Sequence, residues 1–321
     1  MSNGYAPHLP STHVLVTGGA GYIGSVLVPL LLQNGYEVTV YDLFKYGVTS
    51  LLSVSANPHL HLIRGDVCDY DHLKKSTRDM DAVIHLAAVV GYPACDQDPA
   101  EAKRVNVVGT QIVASVVRKD QMLVYASTGS AYGSLDAICT ENTPISPLSL
   151  YGETKAKGET LVLEKNGVVL RLATLFGMSP RPRFDLLINN LTEEAIKSGN
   201  ISIYEAGFKR TFLHVKDAAR AFVFAIEHYN QMSRNVYNVG DEEMNMTKGE
   251  AVYKIRSLLP QTQIHLSTDG EDKDKRDYHV SYSKIAKLGF KSRITIEEGI
   301  RELAKVLPSM NQREISFYRN L

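Results

Sequence analysis

Tyr151 and Lys155 are spaced as a proton-transferring pair. They stand at positions i and i+4, so on a helix both side chains lie on one face, one turn apart. A tyrosine, with an ordinary pKa of about 10, is a poor base at neutral pH, but a nearby ammonium group favours the phenolate. Ser127 and Thr128 close a predicted strand upstream and supply hydroxyl donors. This set predicts a site where Tyr151 takes a proton from a substrate hydroxyl.

A glycine-rich segment near the start of the sequence fits a phosphate-binding loop. It reads TGGAGYIG and joins a predicted strand, His13–Thr17, to a predicted helix, Tyr22–Gln33. Gly18, Gly21 and Gly24 allow a tight turn, a close approach to a pyrophosphate, and close packing of helix against strand. The helix N-terminus adds free N–H groups and a positive dipole end. The segment therefore predicts a dinucleotide site.

Two acidic residues follow the next strands. Asp42 ends the second strand, where its carboxylate can accept hydrogen bonds from both ribose hydroxyls and would repel a 2′-phosphate. This position favours NAD over NADP, with a helix cap or turn role as the alternative. Asp66 and Val67 follow the third strand, where an adenine edge can be read; an ordinary aspartate turn is the alternative there.

Apolar runs and amphipathic stretches alternate along the chain. The predicted strands are His13–Thr17, Glu37–Tyr41, Leu60–Ile63, Asp81–Leu86, Met122–Ala126, Val168–Ala173 and Val236–Val239. The predicted helices are Tyr22–Gln33, Ala100–Val117, Tyr151–Leu163, Asp185–Lys197 and Val215–Tyr229, with capping boxes at Thr247 and Thr295 starting two more. The alternation predicts an α/β fold, a doubly wound parallel Rossmann sheet with a smaller α/β C-terminal domain. We place the Rossmann domain at 1–177, with about 212–240 returning to it, and the second domain at 178–321.

Composition limits the function without naming it. The 321 residues include 35 basic and 35 acidic side chains, so the chain has no net positive charge that would bind nucleic acid or an acidic membrane surface. No apolar run approaches the ~18 residues of a membrane span, and the first twelve residues do not resemble a signal peptide. Cys68, Cys95 and Cys139 are too far apart for a disulfide framework or a paired metal site. We expect a cytoplasmic protein with reduced thiols.

The motifs together resemble the extended short-chain dehydrogenase/reductase family that acts on nucleotide sugars, of the NAD-dependent epimerase/dehydratase type. The resemblance covers essentially the whole chain. It rests on eight ordered matches: TGGAGYIG, Asp42, Asp66-Val67, HLAA from His85, NVVGT from Asn106, STGSAYG from Ser127, YGETK from Tyr151 and RTFLHVKD from Arg210.

The resemblance implies roles for individual residues. Tyr151 is the general base, Lys155 lowers its pKa and holds the ribose of NAD, and Thr128 bonds the reacting hydroxyl. Asn106 supports the active-site helix. The other residues implied to line NAD are Gly18, Gly21, Tyr22, Ile23, Gly24, Asp42, Asp66, Val67, Leu86, Ala87 and Ala88. The residues implied to bind the substrate are Ser127, Thr128, Thr174, Arg181, Arg183, Arg210 and Arg276, the arginines in a nucleotide-diphosphate pocket unless they are scattered surface residues.

Departures from the family pattern narrow the reaction. Dehydratases of the family carry Asp-Glu after the active-site threonine, whereas this chain has Gly129 and Ser130, which disfavours dehydration. Thr174 stands where epimerases often have asparagine. The strings FGMSPRPRFDLLINN and GEDKDKRDYHVSYSK are most similar to GDP-heptose 4-dehydrogenases of bacterial capsule synthesis, a class of polysaccharide biosynthesis.

The leading hypothesis is NAD-dependent oxidation at C4 of a nucleotide-diphosphate sugar, GDP-heptose or similar. The 4-keto sugar is then released or re-reduced. The alternatives are a UDP-sugar 4-epimerase and a non-catalytic NAD-binding sensor or scaffold. The resemblance also implies a homodimer through the helices near Ala100–Val117 and Tyr151–Leu163.

Several residues have plainer interpretations. We expect His85 to be packed near the cofactor pocket, and His214 and Asp217 to position a helix start. Neither Cys95 nor Cys139 has a neighbour that marks it as a nucleophile. His59 and His61 have no partner in sequence that makes a metal site, and no metal is expected. Tyr92 follows the fourth strand, where contact with substrate and a structural role are equally expected, and the charged run Glu271–Asp277 suggests a solvated surface.

Overall fold

The structure, a computed structural model, describes residues 12–267 and 276–320. Its strands are β1 (His13–Thr17), β2 (Glu37–Asp42), β3 (Leu60–Arg64), β4 (Ala82–His85), β5 (Met122–Thr128), β6 (Ser134–Cys139), β7 (Val168–Leu172), β8 (Thr174–Phe176), β9 (Asn200–Tyr204), β10 (Lys209–His214), β11 (Asn235–Val239), β12 (Asn245–Thr247), β13 (Gln263–Ser267) and β14 (Asp277–Val280).

The α-helices begin with a segment that follows the glycine-rich loop. They are α1 (Gly24–Gln33), α2 (Tyr70–Ser76), α3 (Tyr92–Gln97), α4 (Pro99–Lys103), α5 (Thr110–Val116), α6 (Leu150–Leu163), α7 (Leu187–Ser198), α8 (Val215–Glu227), α9 (Tyr229–Met232), α10 (Lys248–Leu258), α11 (Ser283–Lys287), α12 (Ile296–Val306) and α13 (Gln312–Phe317).

Seven parallel strands form the central sheet, in the order β11-β7-β5-β4-β1-β2-β3. Apart from the edge strand β3, which is partly exposed, these strands are buried from both sides. One hydrophobic cluster joins the sheet to α1 and α8, and another joins it to α2, α5 and α6. The chain moves outward from β1 to β3 and then returns to the other side of β1 with β4, so the strand order reverses between β1 and β4. This is the doubly wound Rossmann arrangement predicted from the sequence, and its reversal point is where such sheets bind ligands.

A further hydrophobic cluster, separate from the two on the central sheet, lies among elements of the C-terminal half. It packs α7, α10 and α12 with the short strands, including the sheet β12-β10-β8. The predicted strand Val168–Ala173 ends at Leu172, and the following Thr174–Phe176 joins this smaller sheet by pairing with β10. β11 returns to the central sheet beside β7. The C-terminal half therefore contributes both to the sheet and to a separate layer beside it.

The predicted helix Ala100–Val117 is interrupted in the structure. A π-helical segment, Arg104–Gly109, separates α4 from α5. Such wide turns often occur at functional sites, and this one carries Asn106. The capping boxes at Thr247 and Thr295 are confirmed, and a third at Asn311 was not predicted.

The prediction for His61 was wrong in one respect. The sequence offered no carboxylate partner, but β2 brings Glu37 between two neighbouring strands. Glu37 Oε1 lies 2.8 Å from His61 Nε2 and 3.9 Å from His13 Nε2. Ligand atoms of these three residues lie within 4.8 Å of one another. The three residues come from three neighbouring strands, so their proximity could not be seen from the spacing in the sequence.

Other expectations for single residues are confirmed. His85 is fully buried between Thr17 and Thr110, and burial lowers its pKa to about 3. His214 accepts the Lys216 N–H as the cap of α8, and Asp217 accepts backbone N–H groups ahead of α12.

All three cysteines are free, and burial raises the pKa of Cys95 to about 11, which keeps that thiol protonated. The charged run at 271–277 lies outside the described residues except for its last two positions. Among the described helices, none has the length and apolarity that crossing a membrane requires.

Candidate active site

A cavity of about 1390 Å³ opens at the carboxyl ends of the central strands. Its wall is built by the loops after β1, β2, β4 and β5, by the start of α6, and by segments of the C-terminal half. Parallel strands deliver these loops to one edge of the sheet, so residues far apart in sequence meet there. Every predicted site residue except Asn106 lines this cavity.

The glycine-rich loop needs its glycines for three different reasons. Gly18 has φ +70°, and a Cβ there would lie 2.7 Å from the Ala87 backbone nitrogen. A Cβ on Gly24 would lie 2.5 Å from the backbone of Gly19, so α1 can approach its own loop only at a glycine. A Cβ on Gly21 would lie 3.1 Å from the Gly18 carbonyl oxygen, which accepts the Gly21 N–H in this tight turn. The loop is thus a cradle held tightly between β4 and α1.

Asp42 holds the mouth of this loop in shape. Its two carboxylate oxygens accept N–H groups from Ala20, at 3.0 Å, and Phe44, at 2.7 Å. Burial raises the pKa of Asp42, while the two backbone N–H groups lower it. The residue therefore has the turn role that was the alternative in the sequence, and its carboxylate still lines the cavity.

Asp66 is engaged by protein groups as well. Arg104 Nη1 lies 3.0 Å from Asp66 Oδ2, and the Cys68 N–H bonds Oδ1. Burial opposes ionisation of Asp66, but the Cys68 N–H and the Arg104 guanidinium outweigh it and lower the Asp66 pKa. Asp66 and Val67 both line the cavity, and contact with the adenine of NAD at these two residues stays a prediction.

Tyr151 and Lys155 lie on one face of α6, as their spacing predicts. Burial raises the pKa of Tyr151 to about 12, whereas the charges of Arg183 and Arg276 and a hydrogen bond with Thr128 lower it. Burial lowers the pKa of Lys155 to about 7, and Glu159 opposes that change. The Lys155 ammonium lies 4.1 Å from the centre of the Tyr125 ring.

Arg183, Arg276 and Thr128 each lower the pKa of Tyr151. The sequence could not show this, since Arg183 and Arg276 reach Tyr151 from distant segments. A further contribution from Lys155, which the resemblance implies, stays a prediction.

Ser127 and Thr128 have different surroundings although they are adjacent. Ser127 Oγ donates to Glu159 Oε1 at 2.5 Å, and Glu159 is paired with the buried Arg171. Its hydroxyl is therefore committed to the protein. Thr128 Oγ1 donates to Ser130 Oγ at 3.0 Å, and Thr128 also lowers the pKa of Tyr151, so its hydroxyl belongs to the reacting side of the cavity.

All four predicted arginines line the one cavity, but they lie at different places on its wall. Arg276 Nη1 donates to Ser130 Oγ at 2.5 Å, and the buried Arg210 donates to the Arg276 carbonyl. Arg183 pairs with Asp185 near Tyr151. Arg181 packs on the Tyr46 ring beside the glycine-rich loop. Arg210 and Arg276 are thus in direct contact, and the charge of Arg183 also acts on Arg181.

Asn106 is a buried positioning residue behind the cavity wall. Its amide bonds both the N–H and the carbonyl of Val89, at 2.8 and 2.9 Å, and also Thr154 Oγ1 at 3.1 Å. It joins the loop after β4 to α6, which corrects its assignment as a residue lining NAD. Thr174 remains on the cavity wall, and its buried Oγ1 has no partner among the described residues.

Some cavity residues were not predicted. They are Tyr46, Asp185, Lys248 and Asn320. Tyr92, for which substrate contact was one of two expectations, also lines the cavity as the first residue of α3. The basic and aromatic residues at 45 and 46, three and four positions after Asp42, were a usable signal. The sequence around Asn320 contained no such signal, because the position of Asn320 depends on the folding of the whole C-terminal half.

The comparisons with known proteins agree with this geometry. The model of the NAD dependent epimerase/dehydratase family matches residues 14–240. The chain belongs to this family. Membership confirms the predicted enzyme class, an NAD-dependent short-chain dehydrogenase/reductase acting on nucleotide sugars, with NAD as its cofactor.

Relatives in this family have different reactions. A dTDP-glucose 4,6-dehydratase of Actinoplanes sp. is 31% identical, over 90% of this chain and 95% of its own. UDP-arabinose 4-epimerase 1 of Arabidopsis thaliana is 28% identical, over 88% and 75%. The crystal structure of UDP-glucuronic acid 4-epimerase from Bacillus cereus, with UDP-glucuronic acid and NAD, has a TM-score of 0.81 at 26% identity, over 92% and 99%.

Proposed function

We propose that this protein is a nucleotide-sugar 4-epimerase that oxidises C4 of a UDP-sugar and reduces it again from the other face. One observation carries the proposal. The Thr128 hydroxyl lowers the pKa of the Tyr151 phenol, and both line a cavity where positions 129 and 130 supply no carboxylate. That site can move the C4 proton but has no acid at these positions to expel a neighbouring hydroxyl.

The residues present fit NAD. Gly18 leaves a cradle that a Cβ would fill, and α1 begins beside it. The Gly18–Gly24 loop would hold the pyrophosphate, Asp42 the adenine ribose, and Lys155 the nicotinamide ribose. When bound, NAD accepts the hydride from C4 and returns it.

The chain's own residues move the proton. Tyr151 takes the proton from the C4 hydroxyl as its C–H bond breaks, leaving a ketone, and gives the proton back on reduction. Thr128 orients the C4 oxygen by its hydroxyl. Arg183 and Arg276 favour the phenolate by their positive charges, which offsets part of the cost of burying it.

Arg210 and Arg276 would hold the diphosphate of the substrate. Guanidinium groups match phosphate oxygens, and both arginines line the cavity, where Arg276 also bonds Ser130. Thr174, whose buried hydroxyl has no partner among the described residues, would bond the sugar. The proposal thus divides the chain into an NAD-binding domain, 1–177 with about 212–240, and a nucleotide-sugar domain, 178–321.

A second candidate is oxidation of a GDP-linked heptose with release of the 4-keto sugar. The strings FGMSPRPRFDLLINN and GEDKDKRDYHVSYSK favour it. The epimerases among the relatives and solved structures support the first candidate more strongly. A non-catalytic NAD sensor is disfavoured because Tyr151, Lys155 and Thr128 are all present.

Product analysis distinguishes these functions. The protein is incubated with UDP-glucose, UDP-glucuronic acid, UDP-arabinose and a GDP-linked heptose, each deuterated at C4, and the products are followed by NMR. We expect a C4 epimer that keeps its deuterium. Accumulation of a 4-ketone with an equal amount of reduced NAD would support the dehydrogenase instead, and absence of any change at C4 would overturn both.

The proposal includes a homodimer. The helix from α4 to α5 and α6 pack side by side on one face of the sheet, and Val108 on the π-helical segment is 45% exposed. Two copies can bury these faces as a four-helix contact.

A further inference from the structure

Arg181 is a buried arginine without an ion pair among the described residues. Its side chain is 3% exposed, and its guanidinium lies 3.7 Å from the centre of the Tyr46 ring. Nη2 donates to Asn320 Oδ1 at 2.6 Å, while Nε has no hydrogen-bond partner in the described parts of the chain. A buried cation is costly unless it is paired, so this position calls for an anion.

The place of Arg181 points to the cofactor half of the cavity. Its backbone N–H lies 3.3 Å from Ser25 Oγ, in the first turn of α1. Its charge also lowers the pKa of Asp42, so the guanidinium lies near the carboxylate that faces the ribose. Arg276, in contrast, donates to Ser130 Oγ, and Arg210 donates to the Arg276 carbonyl.

The C-terminal segment completes this arrangement. Asn320 Oδ1 accepts from Tyr46 Oη at 3.3 Å as well as from Arg181, and the Asn320 N–H lies 3.2 Å from Asp185 Oδ1. The Phe317 ring meets the Tyr46 ring edge-on, with centres 6.4 Å apart. Three distant segments thereby enclose the guanidinium at the cavity wall.

We propose that Arg181, Tyr46 and Asn320 form a clasp that binds a phosphate of NAD, not the diphosphate of the sugar nucleotide. The proposal rests on the proposed function, because it takes NAD as the cofactor. The helix N-terminus approaches the pyrophosphate from one side, and the clasp supplies a fixed positive charge from the other. Tyr46 and Asn320 hold the guanidinium at the cavity wall, so its positive charge is already in place for an anion.

Binding measurements with two ligands test the assignment without any turnover. NAD and UDP are titrated separately by calorimetry into the wild type, Arg181→Met and Arg276→Met. For Arg181→Met we expect the NAD dissociation constant to rise roughly 10- to 100-fold, as for loss of a charge-assisted hydrogen bond, with UDP binding unchanged. Arg276→Met should show the reverse pattern. Loss of UDP binding alone in Arg181→Met would overturn the clasp and return Arg181 to the substrate.

A second variant keeps the proposal testable if Arg181→Met does not fold. Asn320→Ala removes the amide that orients the guanidinium and leaves the buried arginine in place. We expect weaker NAD binding, unchanged UDP binding and an unchanged melting temperature without ligand. Wild-type affinity for NAD in both variants would overturn the clasp. Wild-type protein that binds NAD but changes no sugar would overturn the proposed function alone, and failure of the wild type to bind NAD would overturn both.

Discussion

At the scale of single residues, the site is defined by opposing effects on one phenol. Burial raises the pKa of Tyr151 to about 12, and Arg183, Arg276 and Thr128 lower it. The base is therefore protonated at neutral pH when only protein groups act on it, and it depends on nearby positive charge. The effect of each neighbouring charge on the pKa of Tyr151 can therefore be measured from the pH profile of turnover.

Replacing Tyr151 by phenylalanine tests its role as the base. The phenol is the group proposed to accept the C4 proton, so turnover should fall ~10²- to 10⁴-fold. Calorimetry should show NAD binding close to that of the wild type. Tyr253→Phe, which removes a phenol on a 47% exposed residue outside the cavity, is the matched control. Full activity of Tyr151→Phe would remove the proposed mechanism.

Replacing Arg183 by glutamine should move the pH profile of turnover. Loss of the positive charge raises the pKa of Tyr151, so a smaller fraction is phenolate at each pH and the rising limb shifts to higher pH. Arg183→Lys keeps the charge and should keep the limb. Because Asp185 loses its partner, the double variant Arg183→Gln/Asp185→Asn is measured as well. An unshifted limb in both would show that Arg183 does not act on the phenol.

At the scale of elements, the shape of the cofactor site depends on how closely the glycine-rich loop packs against its neighbours. Most of this region could be predicted from the sequence, because strand, loop and helix are contiguous and each glycine has a local reason. The π-helical segment around Asn106 could not, since it shows no pattern distinct from an α-helix. Nor could the separation of Arg181 from Arg210, because that depends on contacts with Tyr46, Ser25 and Asn320.

A pair of glycine variants separates backbone strain from close approach. Gly18 and Gly35 both have positive φ, but a Cβ on Gly35 meets no atom within 4 Å, whereas one on Gly18 meets Ala87. Gly35→Ala should lose only ~1–2 kcal/mol of unfolding free energy and leave NAD binding intact. Gly18→Ala should lose more and should also weaken NAD binding. Denaturant unfolding and calorimetry measure both, and equal effects would contradict the close approach.

At the scale of the whole molecule, the proposed dimer would use the helices behind the active site. The sequence predicted the central sheet well because buried parallel strands are apolar throughout. It predicted the short strands of the C-terminal half poorly. β9 and β13 have only five residues each, and they pair with each other across about 60 residues of chain.

Charge on the outer helix face should break the dimer. Val108→Asp places a carboxylate on the 45% exposed π-helical position, where a four-helix contact would bury it. Light scattering should then show a monomer in place of a dimer. Leu266→Asp, on a 53% exposed residue outside this face, is the control and should remain dimeric. A wild-type monomer would contradict the proposed assembly.

The stacking of Arg181 on Tyr46 has a practical consequence for optical work. The sequence contains no tryptophan, so Tyr46→Trp would give the protein one indole, placed against the guanidinium and beside the cavity. A cation stacks at least as well on an indole as on a phenol ring. The emission of that fluorophore would report ligand arrival at this wall in stopped-flow experiments, without any background from other indoles.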